Sequence, residues 1–282
     1  MATKPVLRIS IYSDLACPWC YVGKRRLDQA LAKVQGKVDA EVEWRAFLLD
    51  PNFAPTGEEI EAYARRRFGS NFATIKQRLV DNGKPDGAAF ANWRWRANTV
   101  KGHMLVALAR KHGKSHEANE LLFKASYEEG KNISDTPVLL DIASKLGLRD
   151  EAARALGSGS SHAAGPAEGS GQLHNAVAEQ SAGVGNSCTP DGVCGPSTPA
   201  SSGELLEEED DDEGLDGELL REVEADDATA KQRLRVSGVP FFLISAEREP
   251  GAGTGPRFAL SGAQPAEAFV EAFEEALAHA GK

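Results

Sequence analysis

The sequence predicts an α/β fold that is interrupted by an all-helical subdomain and by a disordered acidic insertion. Strand patterns lie only near the two ends of the 282-residue chain. Helical spacing of apolar residues dominates from about residue 58 to about residue 156. A stretch of Gly, Ser, Ala, Pro and acidic residues at 157–217 follows that block. We therefore expect one α/β domain, built from both ends of the chain, with a helical subdomain inserted.

The first fifty residues predict a strand, a helix and a second strand. Segment 6–12 is β-branched and hydrophobic enough for a largely buried strand. A helix is predicted over 17–34, because Pro18 suits a first turn, Gly36 suits a helix end, and apolar residues between them recur at helical spacing. Apolar and charged residues alternate over 38–46, which is typical of a half-buried strand. This order predicts a parallel strand pair.

Three further segments follow the N-terminal half at 1–50. Residues 51–156 are predicted to form the helical subdomain, because strand patterns disappear there. Residues 157–217 form the predicted insertion, and residues 218–282 complete the α/β domain. The last segment contains a predicted helix at 218–234, strands at 241–245 and 257–260, and an amphipathic closing helix at 265–279.

The predicted insertion has a composition that opposes folding. Between residues 157 and 217 there is no Lys, Arg, Phe, Trp or Tyr, and twelve of the chain's 42 acidic residues lie there. Such a mixture buries too little apolar area to offset the entropy of ordering it. The acidic run at 204–216 is read as a solvated spacer in preference to an interaction tail. Because the rest of the chain is close to neutral, the net charge of −10 says nothing about the substrate.

Composition also restricts the location of the protein. No segment approaches the ~18 consecutive apolar residues that a membrane span needs, and the N-terminus passes directly into a strand with no room for a signal peptide. We expect a cytoplasmic protein with no membrane partner. Four cysteines are too few for a disulfide-stapled secreted scaffold. In a reducing compartment, a CxxC pair indicates catalysis or metal binding.

The sharpest motif is Cys17-Pro18-Trp19-Cys20, at the predicted junction of strand and helix. Two thiols three residues apart on a first helical turn lie close enough to form a disulfide. The positive end of the helix dipole favours a thiolate, so we expect Cys17 to have a lowered pKa and to be the exposed nucleophile. Cys20, one turn deeper, is expected to be the resolving thiol.

A structural role for the cysteines is the alternative. Cys17 and Cys20 could form half of a zinc site, with Cys188 and Cys194 as the other half. However, five residues separate the second pair, and they lie in a Gly/Ser-rich tract with no strand context. We therefore expect no metal site.

A second motif follows some 220 residues later. Pro240 opens the apolar segment 241–244 and follows Gly238 and Val239. A proline cannot donate to a central ladder, so it belongs at the start of a strand, where a cis bond would be a deliberate feature. Together with a CxxC after the first strand, this motif completes a thioredoxin-type arrangement.

The chain resembles the DsbA-like thioredoxin oxidoreductases, and in particular the FrnE-like branch. That branch includes relatives of 2-hydroxychromene-2-carboxylate isomerase and of kappa-class glutathione transferase. The resemblance covers nearly everything outside 157–217. It rests on Ser13-Asp14 before the CPWC motif and Tyr21-Val22-Gly23 after it, on Phe47-Leu48-Leu49-Asp50-Pro51, Asn98-Thr99, Gly102-His103, Ile133-Ser134-Asp135, Gly238-Val239-Pro240-Phe241-Phe242 and Ser261-Gly262-Ala263-Gln264.

The resemblance implies a thioredoxin fold with a helical insertion over the active site. It also implies Cys17 as attacking thiol, Cys20 as resolving thiol, and a cis Val239-Pro240 bond packed beside them. The isomerase and transferase relatives usually carry Ser where this chain has Cys17. This departure favours dithiol chemistry.

Two further groups of residues are candidates for the cleft. Asn98 and His103 match polar cleft positions of relatives, although their spacing is not helical, so that one of them could simply cap a helix. Trp93 and Trp95 alternate with two arginines, Arg94 and Arg96. Four residues do not make a basic face, so we expect an aromatic cleft wall and no nucleic-acid partner.

The leading hypothesis is thiol–disulfide exchange with protein or small-molecule substrates, through Cys17 and Cys20 and without a bound cofactor. The rival is a glutathione-dependent isomerase or transferase, in which glutathione is a co-substrate. A third reading, an acidic-tailed binding module, has only the insertion to support it. The intact CxxC favours the first. The sequence leaves the redox direction and the oligomeric state open.

Cys188 and Cys194 are possible accessory thiols. The Pro-Asp-Gly turn between them could bring the two thiols together. On a flexible tether they could relay a disulfide to Cys17 and Cys20. The composition of the insertion favours the alternative, two unconstrained thiols in a spacer.

Overall fold

A four-stranded sheet of order β2-β1-β5-β6 joins the two ends of the chain. Strand β1 (Val6–Ser13) pairs in parallel with β2 (Asp39–Ala46), which confirms the predicted parallel pair. Strand β5 (Phe241–Glu247) runs antiparallel to β1, and β6 (Phe258–Ser261) runs antiparallel to β5. The computed structural model describes residues 4–157, 215–249 and 253–280.

Most of the helices lie in the sequence between β2 and β5, and one helix follows β6. Among the residues that the structure describes, none of them is long and apolar enough to cross a membrane. Their bounds are α1 Pro18–Val34, α2 Ile60–Phe68, α3 Phe72–Gly83, α4 Val100–Lys111, α5 Ser115–Tyr127, α6 Thr136–Lys145, α7 Arg149–Ala155, α8 Gly217–Ala228 and α9 Ala266–His279.

The segment 51–156 is not all-helical, and this part of the prediction is wrong. Strands β3 (Glu58–Glu59) and β4 (Trp95–Arg96) form a short antiparallel ladder. It is extended by the N–H of Ile60, which donates to the carbonyl of Arg94 at 2.8 Å. Two-residue strands are too short to leave a period-two pattern in a sequence.

The structure also corrects the C-terminal boundary of the predicted insertion. Leu215 forms a β-bridge with Leu156, and the carboxylate of Asp216 caps α8 by accepting from the N–H groups of Glu218 and Leu219. A capped helix start therefore replaces the predicted disorder at residues 215–217. Residues 158–214, with the rest of the predicted insertion, lie outside the described residues.

The helix predicted at 218–234 is two structures in succession. Helix α8 ends at Ala228, and a π-helix, Thr229–Arg233, follows it. Two residues later, Arg235 has a φ of 53°. This is a left-handed conformation that is uncommon for residues other than glycine.

The two faces of the sheet differ in character. Leu7, Ile9 and Ile11 are buried, and Ile11 pairs in register with Phe242, whose ring contacts Phe269 of α9 at 4.7 Å. The alternate residues of β1 point to the opposite face because side chains along a strand alternate. That second face carries Arg8, Ser10 and Tyr12.

Candidate active site

The two thiols of the CPWC motif lie at the N-terminus of α1, directly after the end of β1. Cys17 is the N-cap residue of α1, with an extended backbone, and Pro18 occupies the first turn. The N–H of Cys17 donates to the carbonyl of Asp14, and the N–H of Cys20 donates to the carbonyl of Cys17, each at 3.0 Å. These turns hold the two residues on the same end of the helix. Both side chains are free thiols in this structure.

The electrostatic surroundings of this helix end favour negative charge. Among the described residues, no side chain caps the first turn of α1, and no acidic residue lies in that turn. The unpaired N–H groups and the positive end of the helix dipole are therefore available to a thiolate on Cys17. Pro18 has no N–H, and Trp19, the second residue between the two cysteines, is half-buried.

The predicted exposure of Cys17 is wrong, because both Cys17 and Cys20 have an exposed fraction of 0%. The Sγ of Cys17 lies 3.7 Å from the carbonyl oxygen of Val239, to which it can donate. Val239 is itself buried, so the loop before β5 covers the helix start that would otherwise face solvent.

Burial has a clear consequence for Cys20. It raises the pKa of the Cys20 thiol well above the ordinary value, and the neighbouring Cys17 adds to the rise. The hydroxyl of Ser13 and the backbone of Asp14 act in the opposite direction but do not outweigh burial. Cys20 is therefore protonated at neutral pH in this closed form.

The loop that covers Cys17 contains the Val239–Pro240 bond, which is cis. Pro240 is buried directly before β5 and packs on α1 at Gly23. A Cβ placed on Gly23 would lie 2.9 Å from Cγ of Pro240, closer than real Cβ contacts. The absence of a side chain at Gly23 is what allows α1 and the loop to approach.

A buried carboxylate lies beneath the motif. Asp14 accepts from the N–H of Ala16 at 3.0 Å and from the N–H of Leu49 at 2.8 Å. Burial alone would raise the pKa of Asp14, but His103, Arg96 and the Ala16 N–H outweigh it and lower the pKa to about 2. Asp14 appeared in the sequence only as part of the Ser13-Asp14 motif, from which this role could not be inferred.

Asn98 and His103, the two candidate cleft residues, have different surroundings. The side chain of Asn98 accepts from the N–H of Val100 at 3.1 Å and donates to the carbonyl of Phe53 at 2.6 Å. Asn98 lies directly before Thr99, the N-cap residue of α4, and its side chain joins the first N–H of that helix to the loop around Phe53. His103 is buried in α4, with Nε2 3.5 Å from Oδ1 of Asp14. Of these two residues, His103 is the one that approaches Asp14, which lies three residues before Cys17.

An aromatic cluster surrounds the same region. The hydroxyl of Tyr127 donates to the carbonyl of Leu15 at 3.1 Å, and the ring of Trp93 packs edge-on against that of Tyr127 at 5.4 Å. Arg96 is buried, with its guanidinium 4.6 Å from the centre of the Phe53 ring. The Trp/Arg stretch is thus partly internal, although Trp95 remains half-buried and Arg94 exposed. No motif in the sequence pointed to Tyr127.

The remaining candidates lie elsewhere. Cys188 and Cys194 fall outside the described residues. Within 4–157, 215–249 and 253–280, no cluster of three or more His, Cys, Asp or Glu side chains could hold a metal ion.

The sequence and the fold are similar to those of known proteins. An uncharacterized protein of Bacillus subtilis, YwbO, is 30% identical over 142 residues, which cover 50% of this chain and 67% of that protein. The crystal structure of the probable DsbA oxidoreductase SCO1869 from Streptomyces coelicolor matches with a TM-score of 0.62 at 23% identity, over 96% of this chain and 90% of that one. A model of the DSBA-like thioredoxin domain matches residues 8–177, more than half of the chain, and the chain therefore belongs to the family of DsbA-like thioredoxin domains.

Proposed function

We propose that this chain is a thiol–disulfide oxidoreductase that acts on protein or small-molecule disulfides through Cys17 and Cys20. The observation that carries the proposal is the pair of free thiols at the uncapped N-terminus of α1, with Sγ of Cys17 3.7 Å from the carbonyl of Val239. A thiolate is the attacking species in disulfide exchange, and this helix end favours one.

The reaction proceeds by two exchanges of sulfur partners. The Cys17 thiolate attacks one sulfur of a substrate disulfide, a mixed disulfide forms, and the other substrate sulfur leaves as a thiolate that takes up a proton. Cys20 then loses its proton and attacks the sulfur of Cys17, which releases the second substrate thiol. The substrate gains two electrons, and the protein is left with a Cys17–Cys20 disulfide. The reverse sequence oxidises a dithiol substrate.

Because the pKa of Cys20 is raised, the second step requires that the proton of Cys20 be removed first. A protonated Cys20 is a poor nucleophile, so the mixed disulfide persists until its proton is removed. His103 and Asp14 face each other in the interior, and Asp14 lies three residues before Cys17 along the chain. We assign them a positioning role: they hold the loop that carries Cys17.

Insulin reduction in the presence of dithiothreitol tests the proposal. We expect Cys17→Ser to abolish turnover and Cys20→Ser to accumulate a mixed disulfide that is visible on a non-reducing gel. The double variant Cys188→Ser/Cys194→Ser is the matched control, and it should retain the rate. Turnover in the Cys17→Ser variant at the level of the unaltered protein would refute the proposal.

A glutathione-conjugation assay on the same proteins separates dithiol chemistry from transferase chemistry. A glutathione-dependent transferase or isomerase does not need a resolving thiol, so conjugation that survives in Cys20→Ser would favour it over the proposal. The direction of exchange follows from the reduction potential of the Cys17–Cys20 couple. A value near about −270 mV indicates a reductant, and one near about −120 mV indicates an oxidant.

A further inference from the structure

A cavity lies away from the thiols, on the face of the sheet that carries Ser10 and Tyr12. Its volume is about 330 Å³, and its floor is formed by β1 and β5. The π-helix Thr229–Arg233 and the segment around Arg257 form its sides. Neither Cys17, Cys20 nor Pro240 lines it, so the cavity is distinct from the candidate active site.

Arginines are the charged residues of the cavity lining. Among the described residues, the lining includes no Asp or Glu side chain. It does include four arginines, which are Arg8, Arg45, Arg233 and Arg257. Guanidinium groups that are not paired with carboxylates raise the local positive potential and favour an anionic ligand.

Two of these arginines already have carboxylate partners. The Nε of Arg8 donates to Glu247 at 3.0 Å, and Glu41 accepts from the same guanidinium. Arg45 donates to Asp226 at 3.0 Å and to Glu43 at 2.9 Å. Their positive charge is largely compensated within the protein.

The other two arginines are different. Within the described part of the chain, neither Arg233 nor Arg257 has a carboxylate partner or a side-chain hydrogen bond. The cavity therefore holds two guanidinium groups without a carboxylate partner, and a dianionic group placed between them can pair with both. Guanidinium groups bind phosphate in a two-point geometry that lysine cannot reproduce.

Neutral donors complete the lining. Tyr12 is 5% exposed, and its hydroxyl has no hydrogen-bond partner among the described residues. Burial raises the pKa of Tyr12 and outweighs the opposing effect of Arg45, Arg110 and Arg257, so that the phenol remains a donor at neutral pH. The hydroxyls of Ser10, Thr229, Ser245 and Thr254 lie on the same surface.

The backbone beside the cavity is unusual at two places. The π-helix brings Thr229 and Arg233 to the cavity, and Arg235, with φ 53°, follows it. Short π-helical segments and left-handed residues other than glycine are concentrated at functional sites. Both irregularities occur within seven residues at this one position in the chain.

We propose that this cavity binds a small phosphate monoester, with the dianionic phosphate between Arg233 and Arg257. The hydroxyl groups donate to the remaining phosphate oxygens and to the ester. Leu234 and Leu243 line the same cavity and offer an apolar surface to the organic part of the ligand. The volume is near the lower end of the range for small-molecule sites, which fits a sugar phosphate or a mononucleotide.

Isothermal titration calorimetry of the full-length protein in a phosphate-free buffer at fixed ionic strength tests the proposal. The probes are ribose 5-phosphate, AMP, inorganic phosphate and, as the ligand without phosphate, adenosine. We expect saturable binding of at least one phosphate ester and none of adenosine. Preference for AMP over ribose 5-phosphate would identify a nucleotide, and the reverse preference would identify a sugar phosphate.

Variants link the binding to the cavity. Arg233→Gln/Arg257→Gln should weaken the ester by about tenfold or more, because each charge-assisted hydrogen bond to phosphate is strong. Tyr12→Phe should weaken it by a smaller factor and leave the melting temperature close to that of the unaltered protein. Arg65→Gln/Arg221→Gln removes two exposed arginines elsewhere and should leave affinity unchanged.

Three results would overturn the proposal. They are the absence of saturable binding for all three phosphate probes, binding of adenosine equal to that of AMP, and an affinity that falls equally in the cavity and control double variants. Circular dichroism and melting temperature of each variant establish that it is folded, so a loss of binding cannot be assigned to unfolding.

Discussion

Asp14 and His103 face each other inside the protein, with Oδ1 of the carboxylate 3.5 Å from Nε2 of the imidazole. Both side chains are at most 2% exposed. Asp14 also accepts N–H groups from Ala16 and Leu49. One carboxylate therefore connects three segments: the turn before α1, the chain after β2, and helix α4.

This arrangement predicts a specific pH dependence of stability. The pKa of Asp14 is lowered from 3.8 to about 2 in the folded protein, so its charged form contributes stability above its ordinary pKa. That contribution, about 2 kcal/mol, is lost as the pH falls from about 5 towards about 2. Asp14→Asn should therefore be less stable than the unaltered protein at pH 7, with a difference that narrows on acidification.

Urea unfolding of both proteins between pH 3 and pH 7 measures this difference in unfolding free energy. Asp141→Asn, at a position 74% exposed, is the control and should show a difference near zero throughout. If the unfolding free energies of the two proteins differed by the same amount at every pH in that range, the charge of Asp14 would contribute nothing to stability beyond its hydrogen bonds.

The burial of both thiols predicts slow and ordered alkylation. Cys17 and Cys20 are both 0% exposed, so iodoacetamide reaches them only when the site opens. When the loop that carries Val239 moves away, Cys17 should react first, because Cys20 stays buried, burial raises its pKa, and only the thiolate reacts. Peptide mapping of the reduced protein at pH about 7, with the Cys188 and Cys194 peptides quantified separately, gives the four rates.

Labelling of the protein unfolded in urea is the reference in which both thiols are exposed to the reagent. There, Cys17 and Cys20 should react at similar rates that exceed those in the folded protein. Faster modification of Cys20 than of Cys17 in the folded protein would reverse the assigned roles.

The contact between α1 and the loop before β5 predicts the effect of a single methyl group. Gly23→Ala places a Cβ 2.9 Å from Cγ of Pro240 and 3.4 Å from Cζ of Phe242. Such overpacking costs typically about 1–3 kcal/mol, whereas the better helix propensity of alanine offsets at most about 1 kcal/mol. We expect a net loss of about 1 kcal/mol and a lower insulin-reduction rate, because the displaced loop carries the carbonyl that contacts Cys17.

Gly217→Ala is the control for that prediction. Its Cβ would meet only the flexible end of Arg221, at 3.4 Å, so stability and insulin reduction should both remain unchanged. An unaltered melting temperature for Gly23→Ala would mean that α1 and the loop before β5 can move apart without a loss of stability.

The ion pairs of Asp226 hold α8 against the rest of the protein, and their removal is expected to lower stability. Its carboxylate accepts from Arg45 at 3.0 Å and from Arg110 at 2.8 Å, and its side chain is only 9% exposed. Asp226→Ala removes the more buried carboxylate partner of both guanidinium groups, while Glu43 remains with Arg45 and Glu222 with Arg110. We expect a loss of about 1–3 kcal/mol, the usual cost of removing one partner of a charged hydrogen bond. Chemical unfolding measures the loss. Glu224→Ala, at an exposed position of the same helix, should change stability by less than about 0.5 kcal/mol.

Much of the N-terminal half could be predicted from the sequence alone. The strands around residues 6–12 and 38–46, and the helix between them, follow from local periodicity and from Pro18, which suits a helix start. The position of the CPWC motif at that helix start follows with them. These features depend on neighbours within a few residues, so a single sequence contains the information.

Other features needed the tertiary structure. Cys17 was expected to be exposed, but it is covered by Val239, a residue 222 positions away. Asn98 and His103 could not be separated by their spacing, whereas the fold places only His103 against Asp14. The short β3 and β4 ladder and the π-helix were missed, because neither produces a periodic pattern. Burial, ion pairs and the arginine-lined cavity all depend on contacts between residues that are far apart in the sequence. A local sequence pattern cannot predict such contacts.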